Sequence, residues 1–247
     1  MNSSVSLTQH NLGAGTYNFS AMDLDDLGAT EYTLVTIAVD KSGSVCNYEK
    51  DMEACIKKII ESCKTSPRKD NLMIRLVIFN QIMEEVHGFK LLPQCNLSDY
   101  DGCLNTSGTT ALVDTTENVI AATNAYATTL VDDGDYAVNA VVFVITDGMD
   151  NSSSSTTADI KKALDQCKND ERLESIVSIL IGVGIGSGGQ TTTYLTEFKN
   201  ETEMNHFEPI DTADAKTLAK LAQWVSQSVS SQSQALGSGA ASQLLQF

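Results

Sequence analysis

The run Tyr32-Thr33-Leu34-Val35-Thr36-Ile37-Ala38-Val39 (YTLVTIAV), followed at once by Asp40-Lys41-Ser42-Gly43-Ser44, decides the fold of this chain. The run carries no charge, is rich in β-branched residues and is mainly apolar in both of its alternating sets. Neither face of such a strand can meet water, which is the condition of a strand inside a parallel sheet covered on both sides. Directly downstream the period changes. Met52, Cys55, Ile56, Ile59, Ile60 and Cys63 recur at helical spacing between Tyr48 and Lys64, so a strand, a polar glycine turn and an amphipathic helix follow one another.

The alternation continues outward from there. Leu72 to Phe79 (LMIRLVIF) predicts a second buried strand, joined through a tight Asn80-Gln81 turn to a more polar edge strand over Met83 to Phe89. A loop with Pro93, Cys95 and Cys103 leads to a helix over Ala111 to Leu130 and a strand over Asn139 to Ile145 (NAVVFVI). Helix Thr157 to Lys168, strand Ser175 to Val183, short helix Thr191 to Lys199, strand Asn205 to Pro209 and a last helix capped by Asp211 or Thr212 complete the pattern. The predicted fold is α/β and doubly wound: a mostly parallel central sheet, one antiparallel edge strand, and helices on both faces. Residues 1–31, with Gly13, Gly15 and Gly28, read as an N-terminal arm laid over the domain or left mobile, 32–233 as the domain, and 234–247 as a C-terminal tail ending in Leu244-Leu245-Gln246-Phe247.

The bulk numbers narrow the function. With 16 Lys+Arg against 32 Asp+Glu the formal charge is −16, which repels phosphate backbones and anionic headgroups and argues against nucleic acid and membrane partners. Met1 to Ser20 is polar and lacks the apolar core of a secretion signal, so a cytoplasmic location is expected. Cys55, Cys63 and Cys167 fall on apolar helix faces as small core residues. Only Cys95 and Cys103 sit where they could pair, and reduced thiols are expected throughout. His10, His87 and His206 are scattered, and no Cys/His spacing suits zinc.

Ligands of open parallel sheets bind beyond the carboxyl ends of the strands. Three segments there carry matching chemistry: Asp40-Lys41-Ser42-Gly43-Ser44, Gly108-Thr109-Thr110-Ala111-Leu112, and Ile145-Thr146-Asp147-Gly148-Met149-Asp150. A hard cation such as Mg²⁺ takes an octahedron of oxygens, and a carboxylate with two hydroxyls on one tight turn offers half of it. Each segment alone is weak, because serine at a helix start is usually only a cap. Their conjunction is the signal.

With those segments in place, the chain resembles a von Willebrand factor type A domain over roughly Thr33 to Val229, and the three segments resemble its metal-ion-dependent adhesion site. The stretch Trp224-Val225-Ser226-Gln227-Ser228-Val229-Ser230-Ser231-Gln232-Ser233 is similar to stand-alone bacterial and phage proteins of the tellurium-resistance TerY type. The resemblance implies Mg²⁺, with Mn²⁺ or Ca²⁺ as substitutes, held directly by Ser42, Ser44 and Thr110, with Asp40 and Asp147 acting mainly through water. The sixth position would take an Asp or Glu of a partner protein. Thr109 is the reserve for Thr110, because Ser107-Gly108-Thr109-Thr110 departs from the family's Gly-Gly-Thr. Asp150 and Asn151 are expected to structure their loop. An AAA+ ATPase, a kinase or an assembly component is the implied kind of partner, and no catalysis is implied.

Three other functions compete. Gly184-Ile185-Gly186-Ser187-Gly188-Gly189 matches a dinucleotide-binding G-x-G-x-x-G, with Glu208 about 20 residues on, yet only one strand follows it. A hydrolase with Asp40 as nucleophile lacks the second acid and the phosphate-binding lysine. In a structural assembly subunit the metal would only stabilise the fold. The Asp132, Asp133, Asp135 cluster lacks Ca²⁺-loop spacing and reads as a solvated loop.

Overall fold

A computed structural model describes residues 7–11, 18–170, 172–186, 188–241 and 245–247. Eight strands form one sheet: β1 (Leu7–Asn11), β2 (Asn18–Met22), β3 (Glu31–Asp40), β4 (Leu72–Phe79), β5 (Met83–Leu91), β6 (Ala137–Thr146), β7 (Leu173–Val183) and β8 (His206–Ile210). Their order is β1-β2-β5-β4-β3-β6-β7-β8. The pairs from β4 through β3, β6 and β7 to β8 are parallel, while β5 lies antiparallel to β4 and β1 antiparallel to β2. This is the doubly wound α/β fold expected from the strand-helix alternation.

Five helices cover the sheet: α1 (Glu49–Cys63), α2 (Leu112–Gly134), α3 (Thr157–Asn169), α4 (Gln190–Thr202) and α5 (Ala215–Ser238). Side chains alternate across each strand, and the two sets feed two cores. Leu34, Ala38, Val142 and Val144 pack with α2, α3 and α4, whereas Val35, Ile37, Val39, Val141 and Phe143 pack with α1 and α5.

Both ends of the chain differ from the sequence expectation. Met83–Leu91 is not the sheet's border, because β2 from the segment read as an arm pairs parallel to it through Ala21 and Phe89. Gly88 permits that approach: a Cβ there would stand 1.9 Å from the Ser20 carbonyl oxygen. Arg75, fully buried on β4, binds Glu85 at 2.6 Å, and Glu85 accepts from the Ser20 amide (3.1 Å) and hydroxyl (2.8 Å). An ion pair under the sheet thus ties β2 in place. Gly13 and Gly15 lie outside the described residues.

At the other end, α5 begins after Asp214, whose carboxylate accepts from the Thr217 amide, in place of Asp211 or Thr212. It continues past residue 233 to Ser238, where Gly239 closes it in the left-handed conformation. Beyond it, Trp224 Nε1 donates to the Leu245 carbonyl at 3.2 Å, and Phe247 packs edge-on against the indole; Leu244 is outside the described residues. All six cysteines are free thiols, with Cys95 buried. No helix among the described residues is long and apolar enough to cross a membrane.

Candidate metal centre

Parallel pairing aligns Val39 of β3 with Ile145 of β6, so Asp40 and Asp147 emerge at the same edge of the sheet. Asp40 is buried, and both of its oxygens are engaged: Oδ1 accepts the Ser42 amide at 2.7 Å and Oδ2 accepts the Thr146 hydroxyl at 2.6 Å. Burial pushes its pKa up to about 6; the Thr146 and Ser42 hydrogen bonds oppose the rise, and the charge of Asp147 adds to it.

After Asp40 the chain makes a tight turn of 3-10 helix over Gly43–Asn47, with Ser42 at its cap. This brings the Ser42 and Ser44 hydroxyls to 3.1 Å from each other, and Ser44 Oγ donates to Asp147 Oδ1 at 2.7 Å. The Tyr48 hydroxyl donates to the other oxygen, Asp147 Oδ2. Burial, then the bond to Asp147 and its charge, push the Tyr48 pKa far up and keep the phenol protonated.

The third segment is fastened from two sides. Ser107 N–H donates to the Lys41 carbonyl (2.9 Å), Gly43 N–H to the Gly108 carbonyl (3.2 Å), and Ala111 N–H to the Asn80 carbonyl (2.8 Å). Thr110 is buried, and its amide donates to Asn151 Oδ1 at 2.8 Å. A Cβ on Gly148 would stand 3.9 Å from Thr110 Oγ1, so that hydroxyl faces the turn carrying Asp147. Thr109 is exposed and gives its amide to Gln81 Oε1 at 3.0 Å. Asp150 accepts from the Val113 amide at 3.2 Å, so Asp150 and Asn151 brace the loops as expected.

The structure therefore brings Asp40, Ser42, Ser44, Thr110 and Asp147 together from three segments at one edge of the sheet and leaves Thr109 at the surface. Among the described residues no three His, Cys, Asp or Glu side chains cluster. The donor set is two carboxylates plus hydroxyls, an all-oxygen set suited to a hard cation. Thr146 and Tyr48 were missed from sequence. Register would have found Thr146, which follows Ile145 just as Asp40 follows Val39, but no sequence signal places the Tyr48 hydroxyl.

The glycine-rich motif and the Asp132 cluster lie elsewhere. The glycine loop after β7 has Gly184, Gly186 and Gly188 in the left-handed region and leads into α4, after which β8 ends the sheet; Ser187 is outside the described residues. Asp132 pairs with Arg172 at 2.8 Å on the surface.

No family model and no curated protein matches the sequence. Solved structures do match the fold. The D319A mutant of the PilB minor pilin from Streptococcus sanguinis superposes with a TM-score of 0.60 at 11% identity, over 88% of this chain and 65% of that one. The pilus adhesin SpaC from Lactobacillus rhamnosus GG gives 0.58 at 10% identity, over 87% and 32%. Proximal thread matrix protein 1 from the mussel byssus, in the form with a zinc-occupied MIDAS motif, gives 0.53 at 18% identity, over 81% and 46%. These neighbours share the doubly wound α/β fold of this chain. This chain spans between about a third and two thirds of those proteins, and at these identities the likeness extends to the fold alone.

Proposed function

We propose that this type A-like domain is a metal-dependent protein-binding module that grips an acidic side chain of its partner, and is not an enzyme. The observation that carries the reading is the convergence of the Ser42 and Ser44 hydroxyls, Thr110 and two engaged carboxylates from three segments at one edge of the sheet. Ser42, Ser44 and Thr110 would hold Mg²⁺, or Mn²⁺ or Ca²⁺ in its place. Asp40 and Asp147 supply charge from behind. A cation whose close ligands are neutral oxygens keeps most of its charge, which is what attracts an outside Asp or Glu.

The same reading makes the three segments a metal-ion-dependent adhesion site. The likeness of the last helix to TerY-type proteins favours a bacterial or phage chain with a cytoplasmic AAA+ ATPase or kinase as partner. The pilin and adhesin neighbours favour an assembly component.

The test has two stages. Calorimetric titration should show Mg²⁺ uptake that Ser42→Ala and Thr110→Ala weaken and Thr109→Ala does not. Capture of the host partner should then be lost in EDTA and with Asp40→Ala. Capture unchanged in both would refute the reading. Mg²⁺ uptake that stabilises the fold and leaves capture unaffected would identify a structural subunit instead.

A further inference from the structure

We propose that Tyr48 is a positioning residue that keeps Asp147 out of direct contact with the ion, and so sets how strongly the bound metal attracts a partner carboxylate. This rests on the metal-dependent reading above and adds a residue that none of the three metal-site segments contains.

The inference starts from which lone pairs are taken. Asp147 receives Ser44 Oγ on Oδ1 and the Tyr48 hydroxyl on Oδ2, and Asp40 receives the Ser42 amide and the Thr146 hydroxyl. Both acids are therefore hydrogen-bonded on both oxygens by the protein itself. The serine hydroxyls are less committed: Ser44 spends its proton on Asp147, Ser42 Oγ then donates to Ser44 Oγ at 3.1 Å, and lone pairs remain on both serine oxygens. Each carboxylate oxygen keeps a further lone pair, but the hydrogen bond it accepts fixes its direction, so the serine hydroxyls are the more freely oriented oxygens in the turn.

Of the four bonds that restrain the acids, the one from Tyr48 is the most dispensable to the fold. The Ser42 amide is part of the turn, Thr146 is buried on β6, and Ser44 belongs to the metal-binding motif. Tyr48 instead stands at the start of α1, its ring partly buried against the α1/α5 core and its hydroxyl aimed at Asp147. The Tyr48 hydroxyl donates to Asp147 Oδ2 and so holds that oxygen in one direction. Without that hydroxyl, Oδ2 is free to turn onto the ion. A direct carboxylate ligand holds the cation more tightly and cancels part of the charge that an outside acid would feel.

Tyr48→Phe should therefore move two affinities in opposite directions. Calorimetry with Mg²⁺ alone should show binding about three- to tenfold tighter than wild type, the worth of one redirected hydrogen-bonded carboxylate contact. With Mn²⁺ loaded as a paramagnetic probe and acetate as the carboxylate, broadening of the acetate ¹³C signal should fall by a similar factor. A purely structural role for Tyr48 would weaken both, and thermal melting of the variant checks its fold. Equal or weaker Mg²⁺ binding by Tyr48→Phe, beside a wild type that does bind, overturns this inference and leaves the metal-dependent reading standing. A wild type that takes up no Mg²⁺ overturns both.

Discussion

Replacing Asp40 with asparagine should make the metal-free protein more stable while abolishing its response to Mg²⁺. Asp40 is only 1% exposed, and burial lifts its pKa from 3.8 to about 6. The folded protein therefore holds this proton more tightly than the unfolded chain. Stability from this group is greatest below pH 3.8, falls as pH rises towards 6, and is lowest at neutral pH, where ionised Asp40 costs about 3 kcal/mol at roughly 1.4 kcal/mol per pKa unit. Asparagine keeps an acceptor for the Ser42 amide, and its NH₂ can donate to Thr146 Oγ1. One N–H is left without a partner, which takes back about 1 kcal/mol or more. A net gain of about 1–2 kcal/mol corresponds to a melting temperature roughly 2–8 °C higher for a domain of this size. Circular dichroism melts in EDTA at neutral pH and near pH 4 should show that gain at the first and little of it at the second. Added Mg²⁺ should raise wild type by about 2.7 kcal/mol at a hundredfold excess over its dissociation constant, and Asp40→Asn by far less. A variant that melts below wild type in EDTA at neutral pH, or a Mg²⁺ response equal in the two proteins, would refute the reasoning.

Glu85→Ala leaves the Arg75 guanidinium charged, fully buried and without its partner, so urea denaturation should report a loss of about 3–5 kcal/mol. Hydrogen exchange in β2 should rise ahead of the rest of the sheet, because Ser20 loses its acceptor. His87 donates from Nδ1 to the Gly88 carbonyl and accepts the Tyr100 hydroxyl at Nε2, both at 2.9 Å. Burial, helped by Lys90 and opposed by Asp99, lowers its pKa from 6.5 to about 4. The unfolded chain therefore gains a proton first, and stability falls as pH drops from 6.5 to 4, by up to about 3 kcal/mol. His87→Gln should remove that part of the pH dependence in denaturation curves; an unchanged slope would exclude His87 as its source. Trp224 is the sole tryptophan, so deleting residues 245–247 should shift its emission to the red, and an unmoved spectrum would contradict the packing of Phe247 on the indole.

What sequence could show depended on whether the cause was local. β4 spans Leu72–Phe79 just as its apolar run predicts, and β3 and β6 extend their runs by only a few residues, because a strand buried on both faces writes its burial into consecutive residues. β1 and β2 are five residues each, too short for a period to declare itself. β2 is held by Gly88 and by Glu85, which lie more than sixty residues away in sequence. The end of α5 was hidden for a related reason. Its Ser/Gln composition reads as a tail, yet Arg68 Nε donates to Ser233 Oγ at 2.9 Å and Asn139 Nδ2 to the Gln232 carbonyl at 2.8 Å, so distant partners satisfy that polar surface and bury it. The candidate site divides the same way. Asp40, Ser42 and Ser44 share one turn and were legible, whereas the parts played by Thr146 and Tyr48 depend on strand register and on the direction of one side chain.

Strand direction explains why the site exists at this edge at all. Because β3 and β6 run parallel, residues that follow each apolar run meet at one end; an antiparallel pair would have put Asp40 and Asp147 at opposite ends. The β4–β5 turn reaches the same edge, and Asn80 there clamps the Thr110 loop through its side chain to the Ser107 carbonyl at 2.8 Å and through its own carbonyl to Ala111. These bonds fix the Thr110 loop beside Asp40 and Asp147. Asp40 is buried and each of its oxygens accepts one hydrogen bond from the protein, which fixes the direction of the carboxylate at this edge. Under the proposed reading, a carboxylate so held would lend charge to a cation in front of it while the hydroxyls around it make the close contacts, which is what a metal-dependent grip on an outside acid requires.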